Sequence, residues 1–134
     1  MIRRFWPAMA WAILILILTG VPGNYFPTVV SFWDWLSPDK VVHLVIFAVQ
    51  AYLIIYGMQP QYLNKRQRYL FVIAGALVTI LFGLTTEVLQ SYVFVGRDGN
   101  IFDFLADGLG ALMGLVAYYL LNMRNSVLNF NKKQ

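Results

Sequence analysis

Cysteine is absent from the 134 residues, which excludes disulfides and thiol chemistry. Histidine occurs once, at position 43, and that excludes a histidine-rich metal site. Charge is also scarce. Asp, Glu, Lys and Arg make up 12% of the chain, against about 25% in a typical soluble domain. Hydrophobic residues reach 60%, so water is a poor solvent for this chain. No A-x-A-like cleavage site follows the first apolar run, where Thr19-Gly20-Val21-Pro22-Gly23 stands instead. The run therefore reads as an uncleaved membrane helix and not as a removed signal peptide.

Four apolar stretches are present. A helix needs about 20 residues to cross the hydrocarbon core, and the stretches fall at about 5–21, 39–57, 68–91 and 101–122. The reading is a single all-α domain, a four-helix transmembrane bundle, with a loose polar tail over 124–134. The charges are sorted by side. Arg3, Arg4, Lys65, Arg66, Arg68, Arg124, Lys132 and Lys133 all fall on one side of such a bundle. Lys40, Arg97 and all six acids (Asp34, Asp39, Glu87, Asp98, Asp103, Asp107) fall on the other. Lysine and arginine are retained in the cytoplasm during insertion. Both termini are therefore expected in the cytoplasm, in a multi-pass protein of the inner membrane. The net charge of +4 does not point to nucleic acid, because the bases flank apolar segments instead of lining a groove with stacking aromatics. They fit anchors beside anionic lipid.

The first outer loop carries Tyr25, Phe26, Phe32, Trp33 and Trp35, rings that settle at headgroup level. Residues 31–36 read as a short interfacial helix, serving as an anchor or as a flap over the polar cluster. The second outer loop, about 92–100, holds Arg97 and an Asp98-Gly99 turn.

The polar cluster follows from helical geometry. Ser37-Pro38-Asp39 is a good helix start, and Asp39 and His43 share a face at i, i+4. Glu87 lies 18 residues beyond Tyr69, roughly 27 Å along the helix, which places it near the outer boundary with Gln90 beside it at i+3. Asp103, Asp107, Gly110 and Gly114 form one stripe on the last helix. Its G-x-x-x-G pair admits a close neighbour, so the stripe turns inward and takes its carboxylates with it. Asp39, Lys40, His43, Glu87, Gln90, Arg97, Asp103 and Asp107 thus gather at one depth, where ionisable groups are costly unless they face the interior, water or each other. Two aligned carboxylates repel, so at least one must be protonated or neutralised by Lys40, Arg97, protonated His43 or a metal. Structural readings stand beside these. Asp39 completes a helix start, His43 is a buried histidine bonded to Glu87 or Asp107, and the glycines serve packing.

Asp39-Lys40-x-x-His43, Thr86-Glu87-x-x-Gln90, Arg97 and Asp103-x-x-x-Asp107-x-x-Gly110-x-x-x-Gly114, in this order over roughly residues 36–120, resemble the VanZ-like family of small bacterial membrane proteins. The family takes its name from a member associated with low-level resistance to the glycopeptide teicoplanin. The resemblance implies a cell-envelope role at the outer leaflet, where lipid-linked wall precursors are exposed, and a link to glycopeptide resistance. It supplies no reaction.

Three functional readings compete. In the first, the chain binds or modifies an envelope lipid or lipid-linked anionic molecule at the outer face. Lys40 and Arg97 hold an anionic headgroup, helped by the helix N-termini, while Asp39, Gln90 and Asp103 line the site. Catalysis would fall to His43 as general base with Glu87 and Asp107. Alternatively, His43, Glu87 and Asp107 ligate a divalent metal. Metal ligation predicts three ligand atoms close to one point, and a lipid site predicts a wet pocket. In the second reading the cluster is an ion-pair network that fixes helix register, in an accessory protein with a membrane partner or in a homo-oligomer. Proton- or ion-coupled transport comes third, because only Gln50, Thr79 and small residues continue the polar line inward.

Overall fold

The computed structural model describes residues 2–20, 38–59, 65–93 and 101–123. Among these the chain is helical, with no strand. A 3-10 turn, Ile2–Arg4, leads into α1, Trp6–Thr19. Then follow α2, Pro38–Met58, α3, Lys65–Tyr92, and α4, Ile101–Tyr118, the last continued by a π-helical stretch, Tyr119–Met123. The interfacial segment expected at 31–36, the Arg97 loop and the tail lie outside the described residues.

Three helices are long and apolar enough to cross a membrane: Asp39–Met58, Arg66–Tyr92 and Ile101–Asn122. This is the make-up of a multi-pass membrane protein. Their outward faces are lined with large apolar side chains, such as Leu70, Ile73, Leu77, Leu81, Leu84 and Val88 on α3. In water that face would be a large apolar liability; against acyl chains it is matched to its solvent. Within the expected span of 5–21, α1 covers 14 residues, about 21 Å, and the Gly20 N–H still donates to the Leu16 carbonyl in the helical pattern; residue 21 lies outside the described residues.

Pro38 opens α2 and Asp39 occupies the first turn, where a carboxylate suits the positive end of the helix dipole. At its far end α2 stops at Gln59, whose φ of 48° is left-handed, and the Gln59 side chain accepts a hydrogen bond from Arg4. The helices run antiparallel in succession. The end of α1 and the start of α2 therefore lie with the end of α3 and the start of α4. At the opposite end Asn122 donates to the Tyr52 hydroxyl at 3.1 Å.

The closest packing joins α2 to α4. The stripe of Asp103, Asp107, Gly110 and Gly114 is buried along its whole length. A Cβ at Gly110 would collide with the Leu44 carbonyl and lie 3.1 Å from the Ala48 nitrogen. One at Gly114 would strike the Ala48 carbonyl and approach the Ala51 side chain to 2.9 Å. The two backbones are in contact, as the G-x-x-x-G pattern requires.

Candidate functional site

One turn inside the bundle, α2, α3 and α4 bring three titratable side chains together. His43 Nδ1 lies 2.9 Å from Asp107 Oδ1 and 3.9 Å from Glu87 Oε1. All three residues are buried, with exposures of 2% for His43, 7% for Glu87 and 0% for Asp107. Nearer the helix mouths, Lys40 Nζ stands 3.5 Å from Asp103 Oδ1. The cluster thus has a deep layer of one imidazole and two carboxylates, and a shallower layer in which a lysine faces an aspartate.

Two further features shape the deep layer. Asp107 packs over Gly83 of α3, the residue one turn before Glu87. A Cβ there would lie 2.9 Å from Asp107 Oδ2 and 3.0 Å from Asp107 Cβ. Beneath His43, the Phe47 ring stacks with its centroid 6.3 Å away and itself leans on Phe82 at 5.9 Å. Ile15, Ile46 and Trp11 complete this apolar floor, and the Trp11 indole N–H donates to the Ile46 carbonyl at 2.9 Å. Gln50 and Thr79 lie buried farther along the chain from the cluster, and Thr79 bonds within its own helix to the Gly75 carbonyl. A packed aromatic and aliphatic layer therefore lies beneath the cluster.

The sequence-derived residues separate as follows. His43, Glu87 and Asp107 converge, as do Lys40 and Asp103. Asp39 joins His43 and Asp103 in a second group of groupwise proximity, its ligand atoms within 4.8 Å of each other. Gln90 is buried on the same α3 face, and its amide donates to the Thr19 carbonyl at 3.4 Å, tying α3 to α1. Thr86 turns its hydroxyl back to the Gly83 carbonyl. Arg97 lies outside the described residues. Gly83 and Phe47 escaped sequence reasoning. Gly83 stands at i−4 from Glu87 and was legible as a small residue on the same face; nothing in the composition singles out Phe47 from nine other phenylalanines.

Chemically, the deep layer can hold a cation, pass a proton between imidazole and carboxylate, or act as a static pair. The ligand atoms of His43, Glu87 and Asp107 all lie within 4.8 Å of one another, a looser grouping than direct coordination of a single ion requires. No protein-family model matches the chain, and no curated protein or solved structure matches it either.

Proposed function

We propose that this chain is a four-span membrane protein of the cell envelope, similar to VanZ-like proteins. In this reading it binds or modifies a lipid or lipid-linked anionic molecule at the outer face of the inner membrane. One observation carries the reading. His43, Glu87, Asp107, Asp103 and Lys40 are gathered at one end of a largely apolar bundle, where ionisable groups are costly and mark functional sites. The anionic headgroup would meet Lys40, Arg97 and the N-termini of α2 and α4, whose first N–H groups lack helical acceptors. His43 would move a proton if a reaction follows, with Asp107 orienting its ring and Glu87 alongside. The charge asymmetry supports cytoplasmic termini, and among the described residues Arg3, Arg4, Arg66 and Arg68 belong to the end opposite the acids. A link to teicoplanin resistance belongs to the same proposal.

The test is mass spectrometry of lipids retained by the purified protein, compared with Lys40→Ala and Arg97→Ala variants. The expected result is one headgroup class that is lost with either cation. An unchanged lipid profile in both variants refutes the reading.

A second reading is favoured by the burial of the deep layer. A histidine and an aspartate paired at 2.9 Å with almost no exposure is what a register-fixing network between α2 and α4 would contain. Its partner would be another membrane protein or a second copy of the chain. Under that reading Asp107→Asn and Glu87→Gln both lose folded protein.

A further inference from the structure

Asp107 is fully buried. Its Oδ1 meets His43, but among the described residues its Oδ2 has no hydrogen-bond partner. A buried acceptor left without a donor is costly, and a carboxylate oxygen more so than a neutral one. This oxygen lies against the Gly83 backbone, on the α3 turn that leads to Glu87. His43, Glu87 and Asp107 each present one ligand atom within 4.8 Å of the other two. With a neutral imidazole the set carries two negative charges, in a place where water does not screen them.

We infer that His43, Glu87 and Asp107 form a binding site for one divalent transition-metal ion, of the kind represented by Zn²⁺ or Mn²⁺. The donor set selects this class: an imidazole suits first-row ions, and carboxylates complete their coordination, whereas an all-oxygen site would suit Mg²⁺ or Ca²⁺. Metal–ligand bonds of about 2.0–2.2 Å place neighbouring ligand atoms roughly 3 Å apart in octahedral and about 3.4 Å apart in tetrahedral coordination. The separations of His43 Nδ1 from Asp107, 2.9 Å, and from Glu87, 3.9 Å, bracket that range, so side-chain adjustments of about half an ångström would complete the site. The ion takes the Nδ1 lone pair, so the proton that Nδ1 donates to Asp107 in the ion-free form moves to Nε2 and the imidazole stays neutral. Two charges on the ion then balance two carboxylates.

The neighbouring group of Asp39, His43 and Asp103 is the weaker candidate. Lys40 Nζ stands 3.5 Å from Asp103 Oδ1 and already supplies a positive charge there. Three protein ligands leave further coordination positions open, as in catalytic metal sites. The inference thus deepens the proposed function and rests on it: the open positions would receive a headgroup oxygen at the same end of the bundle.

The experiment titrates EDTA-stripped protein in detergent with ZnCl2 and with MnCl2 by calorimetry, with CaCl2 as the contrast. One Zn²⁺ or Mn²⁺ per chain is expected, bound at least tenfold more tightly than Ca²⁺. Glu87→Gln and Asp107→Asn should each weaken binding by at least tenfold, and Asp103→Asn by less than threefold. Equal binding by all variants, or loss in Asp103→Asn with retention in Glu87→Gln, overturns the assignment. X-ray absorption on zinc-loaded unmutated protein needs no variant to fold. A coordination shell with one imidazole and oxygen ligands supports the site, and a shell without nitrogen refutes it. Lipid mass spectrometry on the stripped protein separates the two claims. A headgroup class retained by a chain that binds no ion sinks the metal site and leaves the proposed function. An ion bound by a chain with no preferred lipid does the reverse.

Discussion

His43 on α2 and Asp107 on α4 stand 64 positions apart in sequence and 2.9 Å apart in space, Nδ1 to Oδ1. The contact crosses the tightest helix pair of the molecule, and Glu87 approaches the same nitrogen from α3. Three helices therefore share one imidazole.

Conservative changes at the two acids separate chemistry from architecture. Asp107→Asn and Glu87→Gln keep shape and remove charge. They are expected to insert and to remain monodisperse by size-exclusion chromatography while losing the lipid class retained by the unmutated protein. Loss of folded protein in both variants would establish the register-fixing reading. Asp107→Ala should be worse than Asp107→Asn by roughly 1–3 kcal/mol, because it removes the partner that lies 2.9 Å from His43 Nδ1 and leaves that buried group unsatisfied.

The glycine contact gives an internally controlled prediction. Gly110→Leu and Gly114→Leu should each destabilise the bundle by about 1–3 kcal/mol, the usual scale of overpacking, and by more if α2 and α4 part. Gly108→Leu should be near neutral, since nothing among the described residues lies within 4 Å of a Cβ there. Thermal unfolding in detergent reads all three. Equal effects at positions 108, 110 and 114 would contradict the packing.

At Gly83 a single methyl group reaches the deep layer. Gly83→Ala places a Cβ 2.9 Å from Asp107 Oδ2, and the carboxylate has to move. Helix propensity gains up to about 1 kcal/mol from the same change, so the protein should stay folded. The expected outcome is weaker Zn²⁺ binding, by about tenfold, at an unchanged or slightly raised melting temperature. Unchanged affinity would show that Asp107 Oδ2 takes no part.

Because the chain lacks cysteine, topology can be read from single introduced thiols without background. Asp39→Cys should react with a membrane-impermeant maleimide in intact cells. Arg66→Cys should react only after permeabilisation. The inverse pattern would place the polar cluster in the cytoplasm and remove the outer-face proposal.

Much of this arrangement could be read from residue spacing. Asp103, Asp107, Gly110 and Gly114 fall on one helical stripe whatever their neighbours, and a stripe of small residues and acids cannot face lipid. Counting residues along α3 placed Glu87 at the depth of His43. Spacing does not tell which helix a face will meet. The partner of Gln90 proved to be the Thr19 carbonyl, a choice made by how α1 leans on α3. Nor does it reveal that Phe47 lies beneath His43, since a phenylalanine in an apolar run carries no positional mark.

The Leu44 and Ala48 carbonyls leave Gly110 and Gly114 no slack. Helices α2 and α4 thus behave as a fixed jaw, with His43, Asp107, Lys40 and Asp103 mounted on it. The third ligand-bearing helix, α3, adds Glu87 to a pair whose spacing the glycine contact has already set.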